Sequence, residues 1–373
     1  MARKVQRDPC HPAVGLTCLG RCICVSGVYY GSLAAIMAAM GTLMARNLLT
    51  DIQGIAVGHA DDLALGSSVT AILFDQPAVA SVSILGGAPG SRDTAMLAPE
   101  NTVQAVNAIV LSGGSTFGLD AAGGVQAALR EQGRGVLFRG IRVPLVAQAI
   151  LFDLANGGDK AWGRFSPYRD LGHAAAVAAT AEPFALGTAG AGAGATTATV
   201  KGGLGSASAV TRSGHTVAAI VAVNAVGSPL IGDGPWFWSA PYEQDGEFGG
   251  RGWPATFDTA PRLKGTPGTS TTIGLVVTDA VLTKPQAKRL AIIAHDGLAR
   301  AVLPAHAPTD GDMMFAAATG ARPLTDEPRE LTEIGHAATL VVARAIARGV
   351  YEASSLPVAG AQPSWRERFS DRM

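Results

Sequence analysis

Apolar and polar positions follow two different spacings along the chain, beginning near residue 50. Runs rich in β-branched residues predict buried strands over Ser68 to Phe74 and Val79 to Leu85, separated by a turn. Helical or mixed spacing follows over Thr102 to Val110 and Leu119 to Glu131. Further short elements are predicted at Val136 to Phe138, Val143 to Phe152 and, as a helix, Leu171 to Ala181. Strands interleaved with helices in this way are typical of a layered α/β domain.

The second half of the chain predicts an antiparallel set of strands and then two long amphipathic helices. The strands are expected at Thr196 to Val200, Ser206 to Thr211 and Thr216 to Val226. Arg212-Ser213-Gly214-His215 has the composition of a hairpin turn between the last two. The helices are expected at Lys284 to Val302 and Glu330 to Tyr351. No internal repeat is visible, which favours one domain.

A long irregular region separates these strands from the helices. Gly227 to Thr269 shows no regular spacing and contains six prolines among many glycines. A loop of this length inside a compact domain is normally functional or disordered.

Thr271 to Asp279 follows this region directly and predicts a buried strand that begins with hydroxyl residues. A chain cut before Thr271 would give that residue both a hydroxyl nucleophile and a free α-amine to deprotonate it. The alternative is structural, because threonine is common in strands and four hydroxyl residues in a row suit a sheet edge.

Other polar residues have both a chemical and a structural interpretation. Asp310 and Asp312 are either a solvated acidic turn or paired carboxylates that orient the amine of Thr271 or bind the free amine of a substrate. In the second case their repulsion would raise one pKa. Asn224 is either a cap at a strand end or an amide that donates to an oxyanion. Lys201 is either a surface lysine in a glycine-rich loop or a residue that keeps the nucleophile reactive. The backbone of Ser112, Gly113, Gly114 and Ser115 either binds an anion of the substrate or forms a tight strand-to-helix turn.

Five segments together resemble the family of self-processing aminopeptidases that includes the L-aminopeptidase/D-esterase, the β-peptidyl aminopeptidases and the 6-aminohexanoate (nylon) oligomer hydrolases. They are Asp51 to His59, Gly90 to Thr94, Asn107 to Asp120, the Thr271 strand and Asp310-Gly311-Asp312. The resemblance implies a single-domain α/β fold, a four-layer α-β-β-α sandwich, that is autocleaved into two chains. It implies an oligomer of the processed units, expected as a tetramer.

Site residues can be carried across this resemblance one by one. Thr271 matches the nucleophile, and the acidic pair Asp310 and Asp312 matches the nylon-oligomer hydrolase branch. Lys201 and Asn224 match a lysine and an asparagine of the family's pocket. Ser270, which precedes the nucleophile, stands where Asn or Gly is usual. The implied organisation is an extension at 1–46, a larger fragment at 47–270 whose flexible linker spans 227–270, and a smaller fragment at 271–373.

Composition narrows the possible partners. The chain has 373 residues with 29 basic and 29 acidic side chains, a balance that argues against nucleic acid as a partner. All four cysteines lie in the first 24 residues, and their spacing does not match a zinc site. No cofactor or metal is expected.

The first 45 residues differ from the rest of the chain. Four basic residues precede Ile23 to Met44, an uncharged and mostly apolar stretch about long enough to span a bilayer. This stretch is a signal anchor, a signal peptide or an upstream extension outside the working protein. We favour the extension and expect a cytoplasmic protein, or a periplasmic or membrane-anchored one if residues 1–46 are a true signal or anchor.

These inferences predict an N-terminal threonine hydrolase, activated by cleavage between Ser270 and Thr271. Its substrates would be short peptides, amino-acid amides or esters, or ω-amino-acid oligomers, all small and carrying a free amine. An acyltransferase of the ornithine acetyltransferase type is an alternative enzyme. An uncleaved binding or assembly protein is the alternative outside catalysis.

Overall fold

A computed structural model describes residues 46–265 and 270–369 of the chain. Contacts divide the chain between Ala45 and Arg46, and all described residues belong to the unit that begins at Arg46. The predicted apolar stretch Ile23 to Met44 lies outside them. In the part of the chain that the structure describes, no helix has both the length and the apolar character needed to cross a membrane.

Nine strands of the described chain form one sheet, in which β3-β7-β4-β2-β11-β10-β9-β8 are neighbours and β1 pairs with β2. Two further strands form a separate hairpin. The strands are β1 (Ile55–Asp62), β2 (Ser67–Ile84), β3 (Ser91–Arg92), β4 (Ala105–Ser112), β5 (Val136–Phe138), β6 (Ile141–Val143), β7 (Val146–Ile150), β8 (Gly203–Val210), β9 (Thr216–Asn224), β10 (Thr271–Ala280) and β11 (Met313–Arg322). The helices are α1 (Ala121–Glu131), α2 (Tyr168–Val177), α3 (Lys284–Ala301), α4 (Glu327–Tyr351) and α5 (Trp365–Phe369).

The sheet folds back on itself, so that its two halves share a central apolar core. In β10, Ile273, Leu275 and Val277 point into this core, where they meet side chains of β1, β2 and β4. The alternate residue Val276 faces α3 and α4, which cover the outside of that half of the sheet. Helices α1 and α2 cover the other half in the same way. The layers are therefore helix, sheet, sheet and helix, and the predicted α-β-β-α sandwich is confirmed.

Strand β2 corrects one prediction, because a single strand of 18 residues replaces the two strands expected at Ser68 to Phe74 and Val79 to Leu85. Asp75, Gln76 and Pro77 are exposed, as a turn would be, and the pairing with β4 shifts register across them. The irregularity is thus a bulge that bends the strand without ending it. The bend allows β2 to pair with β1 in its first part and with β11 in its last part.

Two other predicted elements differ. The helical or mixed segment Thr102 to Val110 is mostly strand β4, whose two faces are both buried and therefore show no polar alternation. Thr196 to Val200 is not a strand and pairs only through a bridge between Thr196 and Lys201. The hairpin from β8 to β9, with its turn at residues 212–215, is confirmed by the pairing of Val210 with Thr216.

The described part of the long region, residues 227–265, contains little regular structure but is packed against the domain. Phe237 stacks on Trp365 of α5, with ring centroids 6.0 Å apart. The Trp365 indole N–H donates to the carbonyl oxygen of Pro235 at 3.1 Å. Buried aromatic anchors of this kind hold an irregular segment in one place. The region therefore reaches the end of the sheet along a defined path.

Candidate active site

Sheet topology brings three strand ends to one place. Strand β10 runs antiparallel to β9, and Thr271 at its start pairs with Asn224 at the end of β9. Strand β11 runs parallel to β10, and Ile273 pairs with Met313. Since Asp310 and Asp312 directly precede β11, they lie at the same end of the strands as Thr271. Residues distant in sequence thus meet because their strands end there.

Thr271 lies against the peptide unit that precedes it. Its hydroxyl group donates a hydrogen bond to the carbonyl oxygen of Ser270, and both residues are buried. The same oxygen accepts the backbone N–H of Gly311 at 3.3 Å. Gly311 has no room for a side chain, since a Cβ there would lie 2.7 Å from Thr271 Oγ1. A hydroxyl group and an N–H donor therefore converge on one carbonyl group.

Asn224 is fully buried and joins several parts of the site. Its Oδ1 accepts hydrogen bonds from the backbone N–H of Thr196 at 2.9 Å and from Lys264 Nζ at 3.1 Å. Its Nδ2 donates to the carbonyl oxygen of Phe152 at 2.8 Å. The side chain therefore fixes the loop around Thr196 and the end of the linker relative to the start of β10.

Asp310 and Asp312 are both 1% exposed, which excludes the solvated acidic turn that sequence alone left open. Asp312 Oδ1 accepts the backbone N–H of Thr272 at 2.8 Å. Its Oδ2 accepts the backbone N–H of His306 at 2.9 Å and lies 2.9 Å from that residue's Nδ1. Burial raises the pKa of Asp310 to about 8, and the neighbouring Asp312 carboxyl adds to the shift.

Lys201 is buried, so it is not the surface lysine of the alternative interpretation. Its Nζ donates to the carbonyl oxygens of Gly192 at 3.0 Å and Gly202 at 2.9 Å. Burial lowers its pKa to about 7, although the nearby Asp153 carboxyl opposes the shift. Lys201 therefore ties the backbone at Gly192 to the backbone at Gly202.

The block Ser112-Gly113-Gly114-Ser115 uses its backbone donors within the protein. The N–H groups of Gly113, Gly114 and Ser115 donate to Ser68 O, Asp153 Oδ1 and Leu151 O. These bonds match the tight-turn interpretation. Gly113 is also required by packing, because a Cβ would lie 2.0 Å from Asp153 Oδ2. The block thus positions the buried carboxyl group of Asp153.

Three residues of this region were not singled out from the sequence: Lys264, His306 and Asp153. Lys264 stands close to the predicted cut in a chain with very few lysines, and that was the available signal. His306 lies six residues before Asp312, but nothing in the spacing shows that the two side chains meet. Asp153 follows an apolar stretch and gives no pattern of its own.

A cavity of about 420 Å³ lies beside these residues and could admit a small substrate. Its wall includes Phe152, Asp153, Asn156, Thr196, Lys264 and Gln362. Thr196 and Lys264 both bond to the Asn224 side chain, so the cavity adjoins the start of β10 through that residue. Within residues 46–265 and 270–369, no group of three or more His, Cys, Asp or Glu side chains is arranged to hold a metal ion.

A sandwich of this type with a hydroxyl residue at the start of a central strand suggests a hydrolase, and family comparison agrees. The chain belongs to peptidase family S58, whose model matches residues 47–362. It is 41% identical to an uncharacterized aminopeptidase of Mycobacterium tuberculosis (strain ATCC 25618 / H37Rv), over 87% of this chain and 98% of the relative. It is also 28% identical to a 6-aminohexanoate-oligomer endohydrolase of Kocuria sp. (strain KY2), over 74% of this chain and 75% of the relative.

Solved structures share the fold. A beta-aminopeptidase of Burkholderia sp. superposes with a TM-score of 0.64 at 21% identity, covering 86% of this chain and 91% of the other. The L-aminopeptidase D-Ala-esterase/amidase of Ochrobactrum anthropi, described as a variant of the Ntn-hydrolase fold, superposes with a TM-score of 0.63 at 19% identity. Coverage there is 87% of this chain and 94% of the other. At these identities the likeness concerns the fold.

Proposed function

We propose that this S58-family chain is a self-processing aminopeptidase with Thr271 as its nucleophile. The observation that carries the proposal is the contact of the Thr271 hydroxyl group with the carbonyl group of Ser270. In the first reaction, Thr271 Oγ attacks the Ser270 carbonyl carbon and the hydroxyl proton leaves for a base. The peptide C–N bond breaks, the Thr271 nitrogen takes a proton, and an ester links Ser270 to Thr271 Oγ.

Hydrolysis of that ester completes the cut. Water adds to the Ser270 carbonyl carbon, and the ester C–O bond breaks to release the Ser270 carboxyl group and the Thr271 hydroxyl group. The tetrahedral intermediates of both steps carry negative charge on the former carbonyl oxygen, to which Gly311 N–H already donates. Asn224 supports this arrangement because it fixes the facing strand end.

The cut supplies the base for the second reaction. Thr271 gains a free α-amine, and such amines have an ordinary pKa of about 7.7 to 8.0, which leaves a useful fraction unprotonated near neutral pH. This amine takes the hydroxyl proton when Thr271 attacks a substrate amide, and it returns the proton to the leaving amine. Asp312 holds the first peptide of β10 in place through the Thr272 N–H.

The proposed substrates are short peptides, amino-acid amides or esters, and ω-amino-acid oligomers with a free amine. The names of the two relatives, an aminopeptidase and a 6-aminohexanoate-oligomer endohydrolase, support amide substrates of this kind. The cavity beside Lys264 has a size suited to a small molecule. Assembly of the processed units into a tetramer is part of the same proposal, and light scattering after size-exclusion chromatography measures it.

Intact mass tests the proposal. Purified protein is incubated at neutral pH beside the Thr271→Ala and Thr272→Ala variants. The Thr272 side chain points to the opposite face of β10, so this variant is the matched control. We expect two fragments in wild type and in Thr272→Ala, with the smaller beginning at Thr271, and a single chain in Thr271→Ala. A single uncut chain in all three would contradict the nucleophile and favour an unprocessed binding protein.

A further inference from the structure

Lys264, in the linker six residues before Ser270, directs its side-chain amine into the site. Nζ lies 3.1 Å from Asn224 Oδ1 and 3.5 Å from Asn224 O. The backbone N–H of Lys264 donates to Val226 O at 2.8 Å and fixes the point from which the side chain extends. Lys264 belongs to the linker that the cut would free at one end. It thus contacts Asn224, the residue that pairs with Thr271 in the sheet.

Polar neighbours of this amine favour its charged form, and burial opposes them. The two oxygen atoms of Asn224 accept from it, and the carboxyl group of Asp310 favours its charged form. The favourable interaction is reciprocal, because Lys264 opposes the rise in the pKa of Asp310. Burial still lowers the pKa of Lys264 to about 7. An amine is therefore held here by two oxygen atoms of Asn224, beside a carboxyl group that favours its charged form.

The cavity continues from this position. Lys264 forms part of its wall, together with Thr196, whose backbone N–H shares Asn224 Oδ1 with the Lys264 amine. A molecule whose amine took the place of Nζ would have its remaining atoms in this cavity. A lysine side chain is a primary ammonium on a flexible stem of four carbons. The group that fits in its place is therefore a primary amine on a short unbranched alkyl chain.

We propose that Asn224 forms a subsite for primary alkyl amines, near the buried carboxyl group of Asp310, and that Lys264 fills it in the uncut chain. After cleavage the linker ends at Ser270, and Lys264 can leave the subsite to the amine of a substrate. The proposal rests on the proposed function for this last step. It narrows the substrates of the proposed function to those whose amine ends an alkyl chain, and it makes Lys264 a self-inhibitory occupant of the precursor.

The test uses uncut protein, so it does not depend on cleavage. The probe is 6-aminohexanamide, and hexanamide, which lacks the amine, is the matched control ligand. Calorimetric titration compares Thr271→Ala with Thr271→Ala/Lys264→Met. We expect at least about tenfold tighter binding of 6-aminohexanamide when Lys264 is replaced, a change of about 1.4 kcal/mol. Hexanamide should show no such gain.

Further variants identify the subsite. Adding Asp310→Asn to the double variant should remove most of the gain, because the acidic neighbour of the amine is lost. Lys288→Met in the Thr271→Ala protein should give no gain, since Lys288 donates to Val82 O on another part of the sheet. Lys264→Gln serves as a second neutral substitution, and a thermal melt shows that each variant is folded.

Equal affinity with and without Lys264, or no binding of the amine in any folded variant, overturns the subsite. Such a result would leave self-cleavage untouched, because the intact mass of the wild-type protein decides that separately. Conversely, an uncut wild-type chain together with amine binding in the Lys264 variants would refute the proposed function and retain the subsite.

Discussion

The hydroxyl group of Thr271 donates a hydrogen bond to the carbonyl oxygen of Ser270, so the proposed nucleophile already contacts the peptide unit that it would cut. The contact is intramolecular, and its geometry is fixed by the pairing of β10 with β9 and β11. Preorganised contacts of this kind can contribute several kcal/mol to a reaction barrier. The contact that the proposed cleavage needs is therefore present in the uncut chain.

Gly311→Ala should block self-cleavage while the domain still folds. The new Cβ would lie 2.7 Å from Thr271 Oγ1 and 2.9 Å from Ala88 O, which forces the hydroxyl group or the Gly311 N–H out of place. We expect cleavage to slow by at least about a hundredfold, in line with the loss of one oxyanion donor. Gly123→Ala in α1 is the control, because its nearest neighbour would be 3.6 Å away. Time courses on denaturing gels measure both, and equal rates would refute the role of Gly311.

Asn224→Ala should reduce both stability and cleavage. The substitution leaves the partly buried Thr196 N–H and Phe152 carbonyl oxygen without their bonds to Asn224, and the full cost of about 1 to 3 kcal/mol applies to a fully buried group. Asn107→Ala in β4 also removes a buried acceptor, the one used by Leu145 N–H, and should cost a similar amount. Only Asn224→Ala should slow cleavage. Urea unfolding and cleavage rates, both in freshly refolded protein, separate the two effects.

His306→Ala should slow cleavage by about tenfold. The imidazole contacts Asp312 Oδ2 at 2.9 Å, while Asp312 Oδ1 holds the Thr272 N–H next to the nucleophile. One lost intramolecular hydrogen bond is worth about 0.5 to 1.5 kcal/mol. His306→Asn should retain more activity, since Asn tolerates the left-handed backbone at this position, where φ is 56°. His173→Ala, which removes a surface contact with Glu131, should have the wild-type rate.

Lys201→Met should change how stability depends on pH. The pKa of Lys201 falls from 10.5 to about 7 on folding, so between these values the unfolded chain binds more protons at this residue. The free energy of unfolding therefore rises with pH across this window, by at most about 1.4 kcal/mol per pH unit. The contribution of the neutral Lys201 amine to the free energy of unfolding is complete above pH 10.5 and is lost as pH falls through 7.

Urea unfolding of the Thr271→Ala chain at several values between about pH 7 and pH 9.5 measures this slope. Adding Lys201→Met should reduce the rise, although the part due to Lys264 remains, because its pKa is also lowered to about 7. An unchanged slope in Lys201→Met would show that Lys201 is charged in the folded protein.

The sequence predicted much of the fold because its strongest patterns are local. The β8–β9 hairpin, the strand at Thr271 and helices α3 and α4 were all identified from spacing and turn residues. The division of β2 was wrong because an exposed Asp-Gln-Pro segment has the composition of a turn whether the chain reverses or bulges. Strand β4 was ambiguous because a strand buried on both faces lacks alternation.

The candidate site residues were singled out by their positions in the predicted elements and by the family resemblance. Four of them stand at or next to strand ends, and the structure brings these strand ends together: Thr271, Asn224, Asp310 and Asp312. Lys264 and His306 could not be found this way, because their contacts depend on the path of a coil region and on a loop before β11. Spacing along a chain does not determine where a long loop crosses a sheet.

The order of the strands has a consequence for the two pieces that a cut before Thr271 would produce. Strands β10 and β11 lie in the middle of the sheet, with β9 on one side and β2 on the other, and both neighbours belong to the larger piece. Cleavage would thus break one covalent bond while every hydrogen-bonded edge of the smaller piece stays occupied. The two pieces would therefore remain associated as a heterodimer. Removal of the smaller piece would leave β9 and β2 without the strands that join them in the sheet.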